Sequence, residues 1–382
     1  MAKTDVSKLR VAIVADWLTN QGGAEVVIHA MHEALPQAPI YTSMFNPTKL
    51  PQFAHADVRT SFLDHFPFAP LSQKKHQWFL PWMPQAFESF DLSDFDIVLS
   101  SSHSCAKGII TKPETLHVSY CHTPMRYVWD GYLEYMEKTQ VPFFVKPFVP
   151  GMLSKVRQWD RLASDRVDWY FTNSQFVTKR IHKYYRRDSE VLYPPVRIQD
   201  FSVSHQRGDY FVALGRLIPY KRFDLTIEAC NRLKLPLKII GEGPEYARLK
   251  EISGPTIQFM GFVSPKERKE LLAGSRALIF PQVEDFGIVP LEAMASGRPV
   301  VALGQGGALE TVVEGVTGTF FPDQTPDSLT HALERFLTMQ FDHKKIRAHA
   351  EEFDIKVFQA NLLSRLGELY DEYQSGNMFV RM

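Results

Sequence analysis

The sequence of 382 residues has few cysteines, no excess charge of either sign and no long apolar run. Its three cysteines, Cys105, Cys121 and Cys230, lack the spacing of metal ligands, and their small, odd number argues against a disulfide-bonded secreted scaffold. Lysine plus arginine (43) equals aspartate plus glutamate (43), which argues against binding nucleic acid through bulk positive charge. No window approaches the ~20 apolar residues of a transmembrane helix, and no signal peptide precedes the first strand. We therefore expect a cytoplasmic protein that does not bind nucleic acid.

Aromatic residues are abundant: they make up 13% of the chain, with 28 phenylalanines and 6 tryptophans. Two stretches, 62–90 and 141–159, combine many of them with lysines. The aromatic residues concerned are Phe62, Phe66, Phe68, Trp78, Phe79, Trp82, Phe87, Phe90, Phe143, Phe144, Phe148 and Trp159, and the lysine pair of the first stretch is Lys74-Lys75. Aromatic rings interleaved with lysines are typical of a lipid headgroup boundary, so one hypothesis is that the first domain docks on the inner membrane. Ordinary core packing is the alternative.

Short apolar runs alternate with longer amphipathic stretches, a pattern typical of βα units on a parallel sheet. Ten strands are predicted, at 11–15, 96–101, 116–120, 169–172, 190–193, 210–214, 237–240, 257–260, 277–280 and 299–302. A break after Pro194-Pro195 separates two series, and one sheet of ten or more strands would be unusually wide. The sequence therefore predicts an α/β fold of two Rossmann-like, doubly wound domains, 1–204 and 205–352, facing each other across a cleft. The helical segment 353–382 is expected to pack back on the first domain.

Ligands of such sheets collect at the carboxyl ends of the strands, so the residues that follow strands are the candidates for function. Gly22-Gly23 opens the first helix, whose N-terminus favours an anion such as phosphate, although the G-x-G-x-x-G nicotinamide motif is absent. Arg216 and Lys221 follow the first strand of the second domain and are suited to bind one polyanion together. The alternative for Gly22-Gly23 is a turn with a purely structural role. The alternative for Arg216 and Lys221 is a solvated surface loop.

The segment from Glu284 to Glu292, E-D-F-G-I-V-P-L-E, follows an apolar strand and enters a helix expected to begin near Pro290. Two carboxylates eight residues apart, with a glycine between them that exposes backbone N–H groups, suit a sugar, since they supply both acceptors and donors. Glu292 would lie in the first helical turn, where the helix dipole also favours an acidic residue without any ligand.

These segments resemble the motifs of retaining family 4 glycosyltransferases of GT-B fold (glycosyl transferases group 1). Glu284 to Glu292 resembles their E-x7-E motif, and Gly215 to Lys221 resembles their G-R-L-x-x-x-K segment. Gly22-Gly23-Ala24-Glu25 resembles their first glycine loop, and Pro299 to Glu310 resembles their last cleft loop. Within the family, Tyr120 to Asp130 is most similar to bacterial GDP-mannose-dependent mannosyltransferases of polysaccharide and O-antigen assembly.

The resemblance implies a role for each matching residue. Arg216 and Lys221 would neutralise the donor diphosphate, while Glu284 and His122 would hold the transferred sugar. The implied catalytic residues are His122, Glu284, Arg216 and Lys221. The implied donor-binding residues are Gly22, Gly23, Val263, Arg268, Asp285, Phe286, Gly287, Ile288 and Glu292. The implied acceptor-binding residues are Arg126, Tyr127, Trp129 and Asp130.

The implied reaction transfers a hexose, mannose from GDP-mannose, to a polyprenyl-diphosphate-linked saccharide with retention of configuration. It would take place in the cytoplasm or peripherally on the cytoplasmic face of the inner membrane, without a metal or other cofactor. Two alternatives stay open, a UDP-hexose or UDP-N-acetylhexosamine transferase and a non-catalytic nucleotide-sugar-binding partner of an assembly complex. Pro265 stands where some mannosyltransferases carry an acidic residue that reads guanine, which puts guanine specificity in doubt.

Two further features compete with these assignments. His103 also follows a strand and is the alternative to His122 as the histidine that contacts the sugar. Asp94-Phe95-Asp96 spells the D-x-D pattern of a metal site, but it precedes its strand and so lies at the wrong end of the sheet for ligand chemistry. We therefore expect a structural role for this D-x-D.

Overall fold

The computed structural model describes residues 4–65, 73, 76–138, 146–204 and 208–378. The chain divides into two compact units, the first formed by Met1–Tyr193 with Phe358–Met382 and the second by Pro194–Val357. Each unit contains one parallel β-sheet with helical connections. The predicted α/β class with two Rossmann-like domains is therefore confirmed.

In the described part of the first unit, seven strands form a parallel sheet. The strands are β1 (Val11–Ala15), β2 (Ile40–Thr42), β3 (Val58–Thr60), β4 (Ile97–Ser102), β5 (Leu116–Cys121), β6 (Trp169–Thr172) and β7 (Glu190–Val191). The helices are α1 (Gly23–Ala34), α2 (Met83–Glu88), α3 (Tyr132–Lys138), α4 (Val149–Ala163) and α5 (Gln175–Tyr185). The strand order β3-β2-β1-β4-β5-β6-β7 reverses its direction of growth between β1 and β4. Open α/β sheets bind ligands at such a switch point, beyond the carboxyl ends of the strands.

Among the described residues of the second unit, six strands form a parallel sheet. The strands are β8 (Phe211–Leu214), β9 (Leu237–Ile240), β10 (Ile257–Gly261), β11 (Ala277–Phe280), β12 (Val300–Leu303) and β13 (Gly318–Phe321). The helices are α6 (Phe223–Leu233), α7 (Tyr246–Glu251), α8 (Pro265–Ala273), α9 (Ile288–Ala295), α10 (Ala308–Thr311), α11 (Pro326–Thr338) and α12 (His343–Glu351). The order is β10-β9-β8-β11-β12-β13, so the switch point of this sheet lies between β8 and β11.

The last helix, α13 (Ile355–Gln374), lies mostly in the first unit. Gln359 donates a hydrogen bond to the Ala30 carbonyl at 3.1 Å, and Arg365 Nε lies 2.9 Å from Glu190 Oε2. These contacts tie the helix to α1 and to β7. The chain therefore enters the second unit once and returns from it once.

The boundaries of the compact units differ from the predicted positions 204/205 and 352/353. The second unit begins at Pro194 because Val196 and Phe201 are buried in its core. The backbone N–H of Val196 donates to the Phe353 carbonyl at 2.9 Å, so the segment before α13 belongs to the same unit. The division thus follows packing, whereas the sequence placed the first boundary in the polar stretch that comes after these apolar residues.

The ten predicted strands are present with ends within two residues of the predicted ones. Three strands were missed, β2, β3 and β13, which have only three or four residues. The three-residue strands β2 and β3 are too short to show the two-residue alternation on which strand prediction depends, and β13 begins with a glycine, a residue that strands disfavour.

The two aromatic stretches are divided between core and surface. Phe79 and Phe87 are buried in the core of the first unit, whereas Trp78, Trp82 and Phe148 are exposed by 48%, 52% and 75%. Phe66, Phe68, Lys74, Lys75, Phe143 and Phe144 lie outside the described residues. In the part of the chain that the structure describes, no helix is long and apolar enough to cross a membrane.

Candidate functional site

The switch point of the second sheet brings two predicted catalytic residues into contact. Lys221 ends the 3-10 turn Pro219–Lys221 that follows β8, and Glu284 lies in the loop that follows β11. The Lys221 ammonium forms an ion pair with Glu284 Oε1, and both side chains are largely buried, with exposures of 16% and 23%. Two groups from different loops, one cationic and one anionic, thus meet where ligands of α/β sheets bind.

Arg216 lies in the same loop after β8, and its side chain is exposed. It forms no ion pair with any residue that the structure describes. Lys221 is therefore held by a carboxylate, whereas the guanidinium of Arg216 is available to a ligand anion.

The loop that carries Glu284 turns into helix α9 at Gly287. This glycine has φ +92°, in the left-handed region that favours glycine, and it is the N-cap of the helix. The helix begins at Ile288, two residues before Pro290, near which its start was predicted. Glu292 is consequently the fifth helical residue and lies beyond the first turn, which removes the helix-dipole explanation for its position.

The loop that contains Gly307 packs against the Glu284 loop. The Gly307 N–H donates to the Glu284 carbonyl at 2.9 Å, and a Cβ at Gly307 would lie 2.2 Å from Phe286 Cα. The Phe286 ring is buried and packs against Phe353, with a centroid distance of 5.9 Å. Asp285 and Ile288 lie half-buried in the same loop. The Glu284 loop is therefore fixed by close backbone contact, which only glycine allows at position 307.

At the other end of this segment, Glu292 pairs with Arg268 of α8. Arg268 Nη2 lies 3.0 Å from Oε1 of the Glu292 carboxylate, and Glu292 is buried. The second oxygen, Oε2, is buried and has no hydrogen-bond partner within the described part of the chain. Burial raises the pKa of Glu292, and the positive charge of Arg268 opposes that effect. The structure thus brings two predicted donor-binding residues together and leaves one acceptor oxygen unused.

The turn between β10 and α8 contains Val263, which is half-buried against the core of the second unit. Its neighbour Phe262 is 81% exposed. Ser264 caps α8, its hydroxyl accepting a hydrogen bond from the Glu267 N–H at 3.2 Å, and Pro265 is the first helical residue. Proline suits this position because its missing N–H would be unsatisfied there in any case. Pro265 therefore stabilises the start of α8.

In the first unit, Gly22 is the N-cap of α1 and Gly23 its first residue. A Cβ at Gly22 would lie 3.0 Å from Oε2 of Glu25, whose side chain is buried at the same helix N-terminus. Burial raises the pKa of Glu25, although nearby backbone N–H groups and His103 oppose the shift. The predicted phosphate site thus already holds a carboxylate of the chain itself.

His122 follows β5 and is half-buried. Its Nε2 shares a hydrogen bond of 2.8 Å with the Ser101 hydroxyl at the end of β4. Burial lowers the pKa of His122 to about 3, and the charge of His103 acts in the same direction. His122 is therefore a neutral hydrogen-bonding group rather than a cation at ordinary pH.

The strand-end pair Asp16 and His103 was not assigned a joint role from the sequence. Asp16 follows β1 and is buried, and its carboxylate accepts backbone N–H bonds from His103, Ser104 and Ala106 at 2.6–2.8 Å. His103 Nδ1 lies 3.1 Å from Asp16 Oδ2, and the centroid of its ring is 6.3 Å from that of His122. Both residues follow strands that flank the switch point, and this position is the signal by which the pair could have been found.

The four predicted acceptor-binding residues differ in exposure: Arg126 and Asp130 are exposed, whereas Tyr127 and Trp129 are half-buried. The Trp129 indole N–H donates to the buried carboxylate of Asp160 at 2.7 Å, and the Tyr127 hydroxyl lies 2.7 Å from Ser104 Oγ. Asp130 forms an ion pair with Arg180 at 3.1 Å, while Arg126 is exposed.

Asp160 belongs to a buried network that the sequence did not reveal. It forms an ion pair with Lys107, which is equally buried, and it accepts hydrogen bonds from Tyr185 Oη at 2.9 and 3.2 Å. Trp129 therefore contributes to the interior of the first unit.

Asp96, the second carboxylate of the D-x-D pattern, pairs with Arg10. Arg10 Nη2 lies 2.8 Å from Asp96 Oδ1, and the backbone N–H of Arg10 donates to Oδ2 at 2.9 Å. The arginine lowers the pKa of this carboxyl. Among the described residues, no group of three or more His, Cys, Asp or Glu side chains is placed to hold a metal ion.

Two protein-family models match the chain in succession. The model "Glycosyltransferase Family 4" matches residues 21–200, and "Glycosyl transferases group 1" matches residues 197–353. The first match covers the first unit except residues 1–20, which include β1, and its last helix, and the second covers nearly all of the second unit.

Relatives of known name are distant. The chain is 24% identical over 286 residues to the α-1,3/1,6-mannosyltransferase ALG2 of Homo sapiens, a match covering 64% of this chain and 65% of that protein. It is 24% identical over 225 residues to an uncharacterized glycosyltransferase of Methanocaldococcus jannaschii, covering 57% of this chain and 63% of the relative. The matches therefore span less than two thirds of the length of these relatives.

Solved structures share the fold along almost the whole chain. HepE of Anabaena in complex with UDP-glucose superposes with a TM-score of 0.67 at 17% identity, over 94% of this chain and 100% of that chain. Sucrose-phosphate synthase of Thermosynechococcus elongatus gives a TM-score of 0.70 at 14% identity, over 97% and 100% of the two chains. The two family models show that the chain consists of glycosyltransferase domains, and these solved structures show that it has the GT-B fold.

Proposed function

We propose that this glycosyltransferase transfers mannose from GDP-mannose to a hydroxyl of a polyprenyl-diphosphate-linked saccharide, with retention of the anomeric configuration. The observation that carries the proposal is the pair of charge contacts at the two ends of the E-x7-E segment, Lys221 with Glu284 and Arg268 with Glu292. In this proposal Lys221 supplies a cation for the diphosphate, Arg268 lies toward the base, and Glu284 and Glu292 supply carboxylates for hydroxyl groups. The similarity to ALG2 mannosyltransferases supports mannose as the sugar.

In the proposed complex, Lys221 leaves its ion pair and binds the donor diphosphate together with Arg216. Glu284, released from the lysine, then accepts hydrogen bonds from the hexose hydroxyls. Glu292 Oε2, which is buried without a partner among the described residues, accepts a hydrogen bond from a ribose hydroxyl. An isolated buried oxygen of this kind gains most from a donor, since its desolvation cost is already present.

His122 of the first unit hydrogen-bonds the transferred hexose. Because burial lowers its pKa to about 3, it does so as a neutral imidazole and does not add charge near the leaving group. The positive charge that stabilises the departing diphosphate comes from Arg216 and Lys221, so the proposed reaction uses no metal.

Retention is explained by attack on the face from which the diphosphate departs. The bond between the anomeric carbon and the diphosphate oxygen breaks, the acceptor oxygen bonds to the same carbon, and the acceptor proton passes to the departing phosphate oxygen. The enzyme then contributes positioning and charge stabilisation. A covalent intermediate on Glu284 is the alternative route, and trapping a glycosylated Glu284 would favour it.

A UDP-hexose or UDP-N-acetylhexosamine donor is the second candidate. HepE of Anabaena was solved with UDP-glucose, and Pro265 replaces the acidic residue that would read guanine. A non-catalytic role in an assembly complex is a further alternative, which donor binding without hydrolysis or transfer would support. The exposed rings of Trp78, Trp82 and Phe148 support a peripheral position on the inner membrane. Flotation with anionic phosphatidylglycerol vesicles tests that position, since absence of co-migration contradicts it.

The donor is tested by a thermal-shift panel of GDP-mannose, UDP-glucose, UDP-N-acetylglucosamine and ADP-glucose. A ligand that binds only the folded protein raises the free energy of unfolding, by about 2.7 kcal/mol at a hundredfold excess over Kd, and therefore raises the thermal midpoint. We expect the largest shift with GDP-mannose, and a larger shift with a UDP-sugar would overturn the assignment of the base. Arg248→Ala removes an exposed ion pair with Glu245, and it serves as the matched control for variants that lose a positive charge at the proposed site. NMR of the product's anomeric signal then tests retention.

A further inference from the structure

The pair Asp16–His103 at the switch point of the first sheet has no role in the donor contacts proposed above. The Asp16 side chain is buried, and three backbone N–H groups of the loop after β4 donate to its carboxylate. Its position is therefore fixed by the fold. A carboxylate held in this way can in turn fix the orientation of a neighbouring side chain.

The orientation of His103 follows from two contacts. Its Nδ1 lies 3.1 Å from Asp16 Oδ2, and its ring packs edge-on against Trp17 at a centroid distance of 4.6 Å. Because an ionised carboxylate only accepts, Asp16 favours the tautomer with the proton on Nδ1. Nε2 then carries a lone pair. The His103 side chain is 31% exposed whereas Asp16 is buried, so a ligand can reach the histidine but not the carboxylate that orients it.

Two other titratable groups surround this histidine. Glu25 of α1 and His122 after β5 both lie within the range of electrostatic interaction with His103. The ring centroids of the two histidines are 6.3 Å apart. Hydroxyl groups held by the two imidazoles would therefore be neighbours, and His122 already has the transferred hexose in the proposed reaction.

We propose that His103 is an acceptor-binding residue, whose Nε2 accepts a hydrogen bond from a hydroxyl of the acceptor saccharide, and that Asp16 is its positioning residue. This inference rests on the proposed transfer to a saccharide hydroxyl. The half-buried side chains of Tyr127 and Trp129 already use their polar atoms in contacts with Ser104 and Asp160, which agrees with a different residue binding the acceptor. His103 takes no proton in this role.

The test uses octyl α-D-mannopyranoside as the acceptor probe and GDP-mannose as the donor, with the full chain. We expect His103→Ala to raise the KM for octyl mannoside about tenfold, as for one lost hydrogen bond, and to raise the ratio of acceptor KM to donor KM at least fivefold. His55→Ala, an exposed histidine of the same unit, is the control and should change neither KM.

Two conservative variants separate acceptor binding from a structural role. The amide oxygen of His103→Gln reaches the position of Nε2 and should restore much of the acceptor KM. The amide of His103→Asn reaches only the position of Nδ1, so it keeps the Asp16 contact without restoring the KM. Equal rescue by both variants, or equal increases in donor and acceptor KM for His103→Ala, would overturn the proposal.

A binding measurement distinguishes failure of this inference from failure of the proposed function. If the wild-type protein transfers no mannose, the proposed function is wrong, but calorimetric titration with octyl mannoside still tests His103. We expect weaker binding to His103→Ala than to the wild type at an unchanged thermal midpoint. Equal affinity, or no binding to the wild type, contradicts the acceptor role.

Discussion

Arg268 and Glu292 form a half-satisfied ion pair: Nη2 and Oε1 are 3.0 Å apart, while Nε of the arginine and Oε2 of the glutamate are buried without partners in the described part of the chain. Removing one member of a buried pair leaves an uncompensated charge, which costs more than losing both. The pair therefore links the stability of the second unit to the residues predicted to bind the donor.

We predict that Arg268→Ala lowers the free energy of unfolding at pH 7 by about 1–3 kcal/mol, because Glu292 is left buried and charged. Burial raises the pKa of Glu292 above its unfolded value, and loss of Arg268 raises it further. A raised pKa gives stability that is present at low pH and lost as the pH increases, so the deficit should be larger at pH 8 than at pH 5. The measurement is chemical denaturation at both values. Adding Glu292→Gln should restore part of the stability, and a double variant no more stable than the single one would contradict the explanation.

The diphosphate contacts are tested by Lys221→Ala and Arg216→Ala. Each should lower turnover about 10²-fold, since each removes a charge that stabilises the departing group in the transition state. The measurement is steady-state release of GDP from GDP-mannose. Arg248→Ala should keep near-wild-type turnover, and the same result for Lys221→Ala and Arg216→Ala would remove the diphosphate assignment.

The close contact of Gly307 with Phe286 predicts a specific loss. In Gly307→Ala the new Cβ would lie 2.2 Å from Phe286 Cα, so the loop carrying Glu284 must move. We expect a lower thermal midpoint and at least tenfold weaker donor binding by calorimetry, because Glu284 is displaced. Gly151→Ala is the matched control: its Cβ meets nothing within 4 Å, and alanine in the helix α4 should stabilise by about 0.5–1 kcal/mol. Unchanged donor affinity in Gly307→Ala would show that the loop adapts.

Asp168 makes the stability of the first unit depend on pH. Burial raises its pKa to about 6, against the hydrogen bond that it accepts from the His117 N–H at 2.8 Å. Its contribution to stability is therefore complete below its unfolded pKa of about 3.9 and lost as the pH rises through 6. Asp168→Asn keeps an acceptor for the N–H and removes the titration, so its stability relative to wild type should improve by about 1 kcal/mol between pH 5 and 7.5. Denaturation across this range tests it, and a constant difference would contradict the assignment.

The sequence predicted the two sheets well because their central strands are continuous apolar runs followed by glycine or polar residues. All five residues of β1 are buried, as a parallel sheet covered on both faces requires. The same feature made Lys221, Glu284 and His122 candidates for function, because residues that follow such strands lie at the ligand-binding edge of a parallel sheet. Strand β2, with three residues, carried too little pattern to be recognised.

What the sequence could not supply was the pairing of side chains. Nothing in the spacing of Arg268 and Glu292, or of Lys107 and Asp160, indicates that they share ion pairs, because these contacts depend on how helices pack in three dimensions. The helix start at Ile288 was missed because Pro290 is the stronger local signal for a first helical residue. Trp129 was assigned to the acceptor for its motif alone, whereas its indole N–H binds a buried aspartate.

The return of α13 to the first unit affects the order in which the chain can fold. A ribosome releases the strands β1 to β7 well before Phe358, yet Ala30 and Glu190 receive their partners Gln359 and Arg365 only after the entire second unit has been synthesised. The surface of the first unit that α13 covers therefore stays exposed while more than 160 further residues are synthesised, and a chaperone could bind it during this time. A chain truncated after Val357 would leave this surface of the first unit permanently exposed.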